Sequence, residues 1–185
     1  MSHAVELVLD DAAAVQVRQC WRSLAEAGLA PYMSESGSLP HVTLNIFDTL
    51  DVDKARALLA ARAAQTPPLP IDLASFGIFP GESPVLFLEP VVTRELLDLQ
   101  HELHDALSDI GEGPWPHYLP GNWVPHCTVA LEFPPELMGD VIDTCMDTAL
   151  PIHASASALA LVDFPPLTYL AKYPLVTGKQ PATFS

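Results

Sequence analysis

A five-residue pattern occurs twice in this chain, as PHVTL at 40–44 and as PHCTV at 125–129. Each copy reads Pro, His, any residue, Thr, apolar. The surrounding sequence repeats as well. HAVELVLD (3–10) reads as a strand, DAAAVQVRQCWRSLAEAGL (11–29) as an amphipathic helix that stops at Gly28, and HVTLNIF (41–47) as an alternating strand. A helix over 51–65 and a strand over 69–79, with a glycine irregularity at Gly77, complete the first half. The order then restarts. A strand at 83–91 leads to a helix at 93–110 with Thr93 as N-cap, a strand at 126–133, a helix at 134–150 begun by proline, and a strand at 150–164. Even LPI recurs, at 69–71 and 150–152. Repetition at about 80–85 residues marks an internal duplication, over approximately 1–81 and 82–176. The stretches 32–40 and 111–125 read as loops, and 167–175 as a last strand. The expected fold is α+β: one domain, duplicated, pseudosymmetric and bilobal, with two antiparallel sheets lining a central groove and helices outside.

The bare His-x-Thr motif is weak. With seven His, composition alone yields about one His-x-[Ser/Thr]. HAS at 153–155 is that chance hit: it lacks the preceding Pro, and in the duplicated frame its His falls opposite Asp72. The longer pattern, at the start of the equivalent strand in both halves, is harder to reach by chance. Residues i and i+2 of a strand face the same way. His41 therefore shares a face with Thr43, and His126 with Thr128. If the halves pack about a local twofold axis, these faces converge on one small volume. One imidazole can then be neutral while the other is protonated, which suits paired general base and general acid work. The hydroxyls can hydrogen-bond a phosphate oxygen.

The twin motifs, HVTL and HCTV, together with the WVPHCTVALEF context and the duplicated order, resemble the 2H phosphoesterase superfamily. That superfamily includes the 2'-5' RNA ligase and 2',3'-cyclic nucleotide phosphodiesterase proteins. The resemblance implies His41 and His126 as the catalytic acid/base pair and Thr43 and Thr128 as phosphate-binding residues. It also implies an activity that needs no metal or other cofactor. The expected reaction is hydrolysis of a 2',3'-cyclic phosphate or a 2'-5' phosphodiester in a small nucleotide or RNA end. The alternatives are a nucleotide-binding module without catalysis, and a 2'-5' RNA ligase. Which His is acid and which is base stays open on the sequence.

Charge narrows the partners. The chain carries a formal net charge of −15, with eight Lys plus Arg scattered along its length. Long nucleic acid needs several phosphates neutralised by Lys or Arg, so a small nucleotide or short RNA end is favoured over structured RNA. No signal peptide or membrane span is evident. A monomer in the cytoplasm is expected. The three cysteines are widely spaced and read as reduced, buried thiols. In the loop before the second motif, Trp115 and Tyr118 are candidates for base stacking, and Trp123 reads as a packing residue. Phe76 and Phe79 are weaker candidates. His101 and His104 read as an exposed polar helix face, and His3 and His117 as surface residues. Tyr169 and Lys172, three apart on the last strand, are expected on opposite faces.

Overall fold

The computed structural model describes residues 1–176. Eight strands and five helices follow one another as β1 (Ser2–Leu9), α1 (Asp11–Glu26), α2 (Tyr32–Glu35), β2 (His41–Leu50), α3 (Val52–Ala63), β3 (Pro70–Phe79), β4 (Val85–Pro90), α4 (Arg94–Ser108), β5 (Gly111–Pro114), β6 (Cys127–Ala130), α5 (Met138–Cys145), β7 (Ile152–Phe164) and β8 (Thr168–Pro174). The main helix starts are capped by side chains. Asp10 accepts from the backbone N–H groups of Ala12 and Ala13, Asp51 from Lys54, and Thr93 from Leu96. Gly28, at φ +69°, follows α1 in the left-handed conformation that ends helices cheaply. Among the described residues no helix is long and apolar enough to cross a membrane.

Three elements depart from the sequence reading. The loops expected at 32–40 and 111–125 contain the short helix α2 and the strand β5, and the last helix is 8 residues long rather than spanning 134–150. The residues of β5, Gly-Glu-Gly-Pro, have no strand preference of their own. They are a strand because Phe47, Thr49 and Leu50 of β2 pair with them.

All pairings are antiparallel. The order is β5-β2-β1-β7-β3-β4-β6, with β8 also paired to β7. The two sheets expected from the sequence are thus one hydrogen-bonded path. β7 bridges it, pairing with β3 over 152–155 and with β1 from Ala156 onward. Exchanging β1 with β4, β2 with β6 and β3 with β7, the strands that the sequence repeat equates, leaves the order β2-β1-β7-β3-β4-β6 unchanged when read from its other end. Asp72 and His153, equivalent in the repeat, are direct cross-strand partners, and His153 Nδ1 donates to Asp72 Oδ1 at 2.8 Å. The extra strands β5 and β8, and the unequal lengths of β2 and β6 (10 and 4 residues), have no counterpart in the other half.

Side-chain size separates the two faces of the sheet. Val5 and Leu7 of β1 and Leu159 and Leu161 of β7 enter the main core with Leu24 of α1, Leu59 of α3 and Leu103 of α4. The opposite face carries Ala4, Val8, Ala158, Ala160 and Val162. Ala4 and Val162 line the groove on that face, while Leu39 and Tyr169 cover Val8, Ala158 and Ala160.

The motif strands β2 and β6 approach each other without pairing. β6 ends the strand order, and β5 covers β2 only from Phe47 onward. An unpaired strand edge needs other partners for its backbone. Side chains supply them. Trp21 Nε1 donates to the Thr128 carbonyl and Trp123 Nε1 to the Thr43 carbonyl, each at 3.0 Å. Trp123 is 8% exposed, so its indole packs as the sequence suggests while also bonding a motif residue. Trp123→Phe keeps most of the ring and removes the donor. It is expected to cost about 1–3 kcal/mol of unfolding free energy, the range for a buried group left unsatisfied. Denaturant titration against the parent protein measures it.

Candidate active site

His41 opens β2, and His126 immediately precedes β6. In both, ring Nδ1–H donates to the carbonyl two residues back: His41 to Leu39 at 2.6 Å and His126 to Val124 at 2.8 Å. The intervening residue is proline in each case, Pro40 and Pro125. Proline fixes φ at the residue between that carbonyl and the ring. The Pro-His dipeptide therefore sets the ring orientation and commits Nδ1, leaving Nε2 available for chemistry.

Each motif strand then carries a bulge after its threonine. Glu6 pairs with Thr43 but Val5 pairs with Asn45, so Leu44 is the extra residue. Phe87 pairs with Thr128 but Leu86 pairs with Ala130, so Val129 is the extra residue. Both extra residues are fully buried, which accounts for the apolar last position of the motif. A bulge reverses the alternation of faces. Regular alternation along HVTLNIF would put Asn45 beside His41 and Thr43. Instead Ile46 lies there, Leu131 takes the same place in the second motif, and Asn45 is buried with no hydrogen-bond partner among the described residues. His41, Thr43, Ile46, Thr128 and Leu131 line one groove of about 210 Å³. His126 is not part of that lining. It stands two residues before Thr128, and the charge on His41 reaches it. Behind the groove, the buried Cys127 thiol meets the backbone N–H of His41, and burial pushes its pKa up to about 12.

The bulges place one more residue beside each motif, and here the halves differ chemically. The cross-strand partner of Thr43 is Glu6, and that of Thr128 is Phe87. Glu6 is 3% exposed and lines the groove. Its Oε1 lies 3.4 Å from His41 Nε2, and its Oε2 accepts from the Tyr169 hydroxyl at 3.1 Å. Burial raises the Glu6 pKa above the usual carboxylate value, while the charge of His41 and the Tyr169 hydrogen bond pull it back. With Nδ1 committed to Leu39, the His41 Nε2 edge and the Glu6 carboxyl face each other.

His126 has aromatic neighbours instead. Phe79 meets it edge-on at 5.0 Å between centroids, Phe87 at 5.4 Å and Tyr118 at 6.4 Å. Burial lowers its pKa from the ordinary 6.5; the Val124 carbonyl opposes this and the charge on His41 adds to it. Gly77 is what lets Phe87 lie where it does. A Cβ there would come within 2.3 Å of the Phe87 ring.

The other candidates scatter around this centre. Tyr118 packs against Ile46 and Val162 beside the groove, and burial, with the charge on Glu6, pushes its hydroxyl up to about 12. Trp115 is at the rim: its Nε1 donates to Asp48 Oδ1 at 3.0 Å, and its ring meets the groove residue Phe164 edge-on at 5.7 Å. Phe76 packs against the main core. Tyr169 and Lys172 lie on the same face, not opposite faces. Val162 pairs with Tyr169 and Ala160 with Lys172, because Leu170 is bulged out of β8. His101 is exposed beside Asp105, whereas His104 stacks on Phe47 at 5.9 Å and is lowered in pKa by burial. All three cysteines are free and buried, with the Cys20 and Cys145 sulfurs 3.1 Å apart. The sequence reading missed Glu6. Its signal was one carboxylate inside the otherwise apolar run AVELVL.

With this geometry in place, the family is decided by sequence. A model of the 2'-5' RNA ligase superfamily matches residues 9–165. The chain belongs to that superfamily. It is the 2H phosphoesterase grouping that the paired motifs resemble, and membership puts the chain among phosphoesterase- or ligase-type enzymes. No curated protein matches by sequence. Solved structures of the superfamily fold do. E. coli LigT complexed with 3'-AMP is 15% identical with a TM-score of 0.61, covering 94% of this chain and 96% of LigT. The Thermus thermophilus protein TT0787 is 17% identical with a TM-score of 0.60, covering 97% and 100%. Kluyveromyces marxianus Usb1 is 10% identical with a TM-score of 0.56, covering 94% and 98%. At these identities the likeness is one of fold.

Proposed function

We propose that this member of the 2'-5' RNA ligase superfamily hydrolyses the 2',3'-cyclic phosphate of a small nucleotide or short RNA end, with His126 as general base and His41 as general acid. The observation that carries the reading is the unequal surroundings of the two imidazoles. His126 sits among aromatic rings that keep it neutral, so it can take a proton from water. His41 instead has the carboxyl of Glu6 beside it, with Oε1 3.4 Å from Nε2, an acceptor placed to orient a proton on that edge. Water attacks phosphorus as its proton passes to His126. The bond to one ribose oxygen breaks, and that oxygen takes the proton held by His41. Thr43 and Thr128 bind the non-bridging oxygens. Trp115 or Tyr118 offers a face to the base. LigT binds 3'-AMP in its solved complex, which supports a nucleotide monophosphate as the ligand class. Among the described residues the groove lining holds no Lys or Arg, which weighs against the ligase reading.

The pH–rate profile tests the assignment. Turnover needs neutral His126, so activity should rise with pH through a midpoint below the ordinary 6.5, because the pKa is lowered. It should fall again once the general acid has lost its proton, giving a bell. Full activity should survive EDTA. An acid limb above 6.5, or activity abolished by EDTA and restored by a divalent metal, contradicts the proposal.

A further inference from the structure

The central groove is built for one phosphate diester. Among the described residues its lining has two threonine hydroxyls and His41 but no Lys or Arg, and it includes the carboxyl of Glu6. A 2',3'-cyclic phosphate carries a single negative charge and fits that balance. A second phosphate finds no cation there.

The fold provides two cations next door. Arg18 and Arg22 are spaced i, i+4 on α1 and so share one helix face. Both line a cleft of about 340 Å³ with Met33, Ser34, Gly37 and Ser38. Like charges at this spacing repel, so the pair costs stability unless something anionic sits between them. The ion pairs of the described residues use Lys54, Arg56, Arg62 and four histidines; none uses Arg18 or Arg22. In a chain with 23 Asp plus Glu against eight Lys plus Arg, two neighbouring arginines without a carboxylate are unexpected. The cleft also adjoins the groove. Met33 and Ser38 line both, and the loop between them leads to Leu39, whose carbonyl holds His41.

We propose that the Arg18/Arg22 cleft is a subsite for a second phosphate of the substrate. Guanidinium groups bind phosphate oxygens bidentately, so this pair can hold a phosphate while the histidines address the cyclic one. The preferred substrate is then a cyclic phosphate whose molecule carries another phosphate, either a 5'-phosphate on the same nucleoside or the next phosphodiester of an oligonucleotide. The proposal rests on the phosphoesterase reading above.

Three substrates test it: adenosine 2',3'-cyclic phosphate, its 5'-phosphorylated form, and an adenosine dinucleotide ending in a 2',3'-cyclic phosphate. At least one two-phosphate substrate should exceed the first in kcat/KM by roughly 10- to 100-fold, the scale of charge-assisted hydrogen bonds. Which of the two does so identifies the source of the second phosphate. The ratio should collapse toward one in an Arg18→Gln, Arg22→Gln double variant. It should persist in a Lys54→Gln, Arg94→Gln double variant, which removes the same net charge elsewhere. Equal kcat/KM for all three substrates, or the same collapse in the control, overturns the subsite. Equilibrium binding of the same nucleotides to the parent and the arginine variant reads the subsite without turnover. Tighter binding of a two-phosphate nucleotide to the parent with no hydrolysis supports the subsite and sinks the phosphoesterase reading. Equal binding with hydrolysis does the reverse.

Discussion

His126→Ala and His41→Ala should each lower kcat for a 2',3'-cyclic nucleotide by about 10²–10⁴-fold, the usual worth of one general acid or base. The two losses should differ in their pH dependence. Without His126 the acid limb of the profile disappears, because the group that must be neutral is gone. Without His41 the alkaline limb disappears. Neither loss should add fully to the other, since both groups act on one displacement and effects within such a unit are not additive. Folding should survive in both. His41 and His126 are half-buried, and their hydrogen bonds run to carbonyls of exposed or half-buried loop residues, Leu39 and Val124. Activity within about twofold of the parent in either variant contradicts the mechanism.

Glu6→Gln should have the second-largest effect. The amide keeps the shape of the carboxyl and can still accept from the Tyr169 hydroxyl. It cannot share a proton with His41 Nε2 or offset the charge of the imidazolium. Hydrogen bonds to charged groups are worth about 1.5–3 kcal/mol, which converts to roughly 10- to 100-fold in kcat. The alkaline limb should change, because the carboxyl that faces His41 Nε2 is gone. The acid limb belongs to His126 and should stay. A purely structural role for Glu6 would lower stability and leave both limbs in place, so the profile separates the two. Tyr169→Phe removes a hydrogen bond that favours the ionised form of Glu6. Its loss should raise the Glu6 pKa further.

Much of this site can be read in PHVTL and PHCTV, because His-x-Thr spacing within a strand is a local property. The resemblance they carry leads to the same family as the match over residues 9–165. Three features were not legible, each because it depends on pairing between distant segments. The bulges at Leu44 and Val129 exist only relative to β1 and β4, and they decide that Ile46 and Leu131, not Asn45 and Ala130, reach the groove. The bulge at Leu170 likewise brings Tyr169 to the face of Lys172 and so to Glu6. The difference between the histidines lies in Glu6 and Phe87, which are 81 positions apart in sequence and meet the motifs only across strands. Some cues were present in the chain. The alternation of Ala and Leu in ALALV at 158–162 shows which face of β7 turns away from the main core, and the lone carboxylate in AVELVL marks the strand position beside His41.

The division of labour between the imidazoles can be measured with a leaving group that needs no proton. In a 2',3'-cyclic phosphate whose departing bridging oxygen is replaced by sulfur, the leaving thiol has a pKa near that of cysteine, about 8.5, and departs as the anion. Loss of the general acid should then cost little, while loss of the general base should cost as much as before. On this substrate His41→Ala is predicted to approach the parent rate, and His126→Ala to remain about 10²–10⁴-fold slower. Rescue of His126→Ala instead, with His41→Ala still impaired, would contradict the assignment of base and acid made from the surroundings of the two histidines.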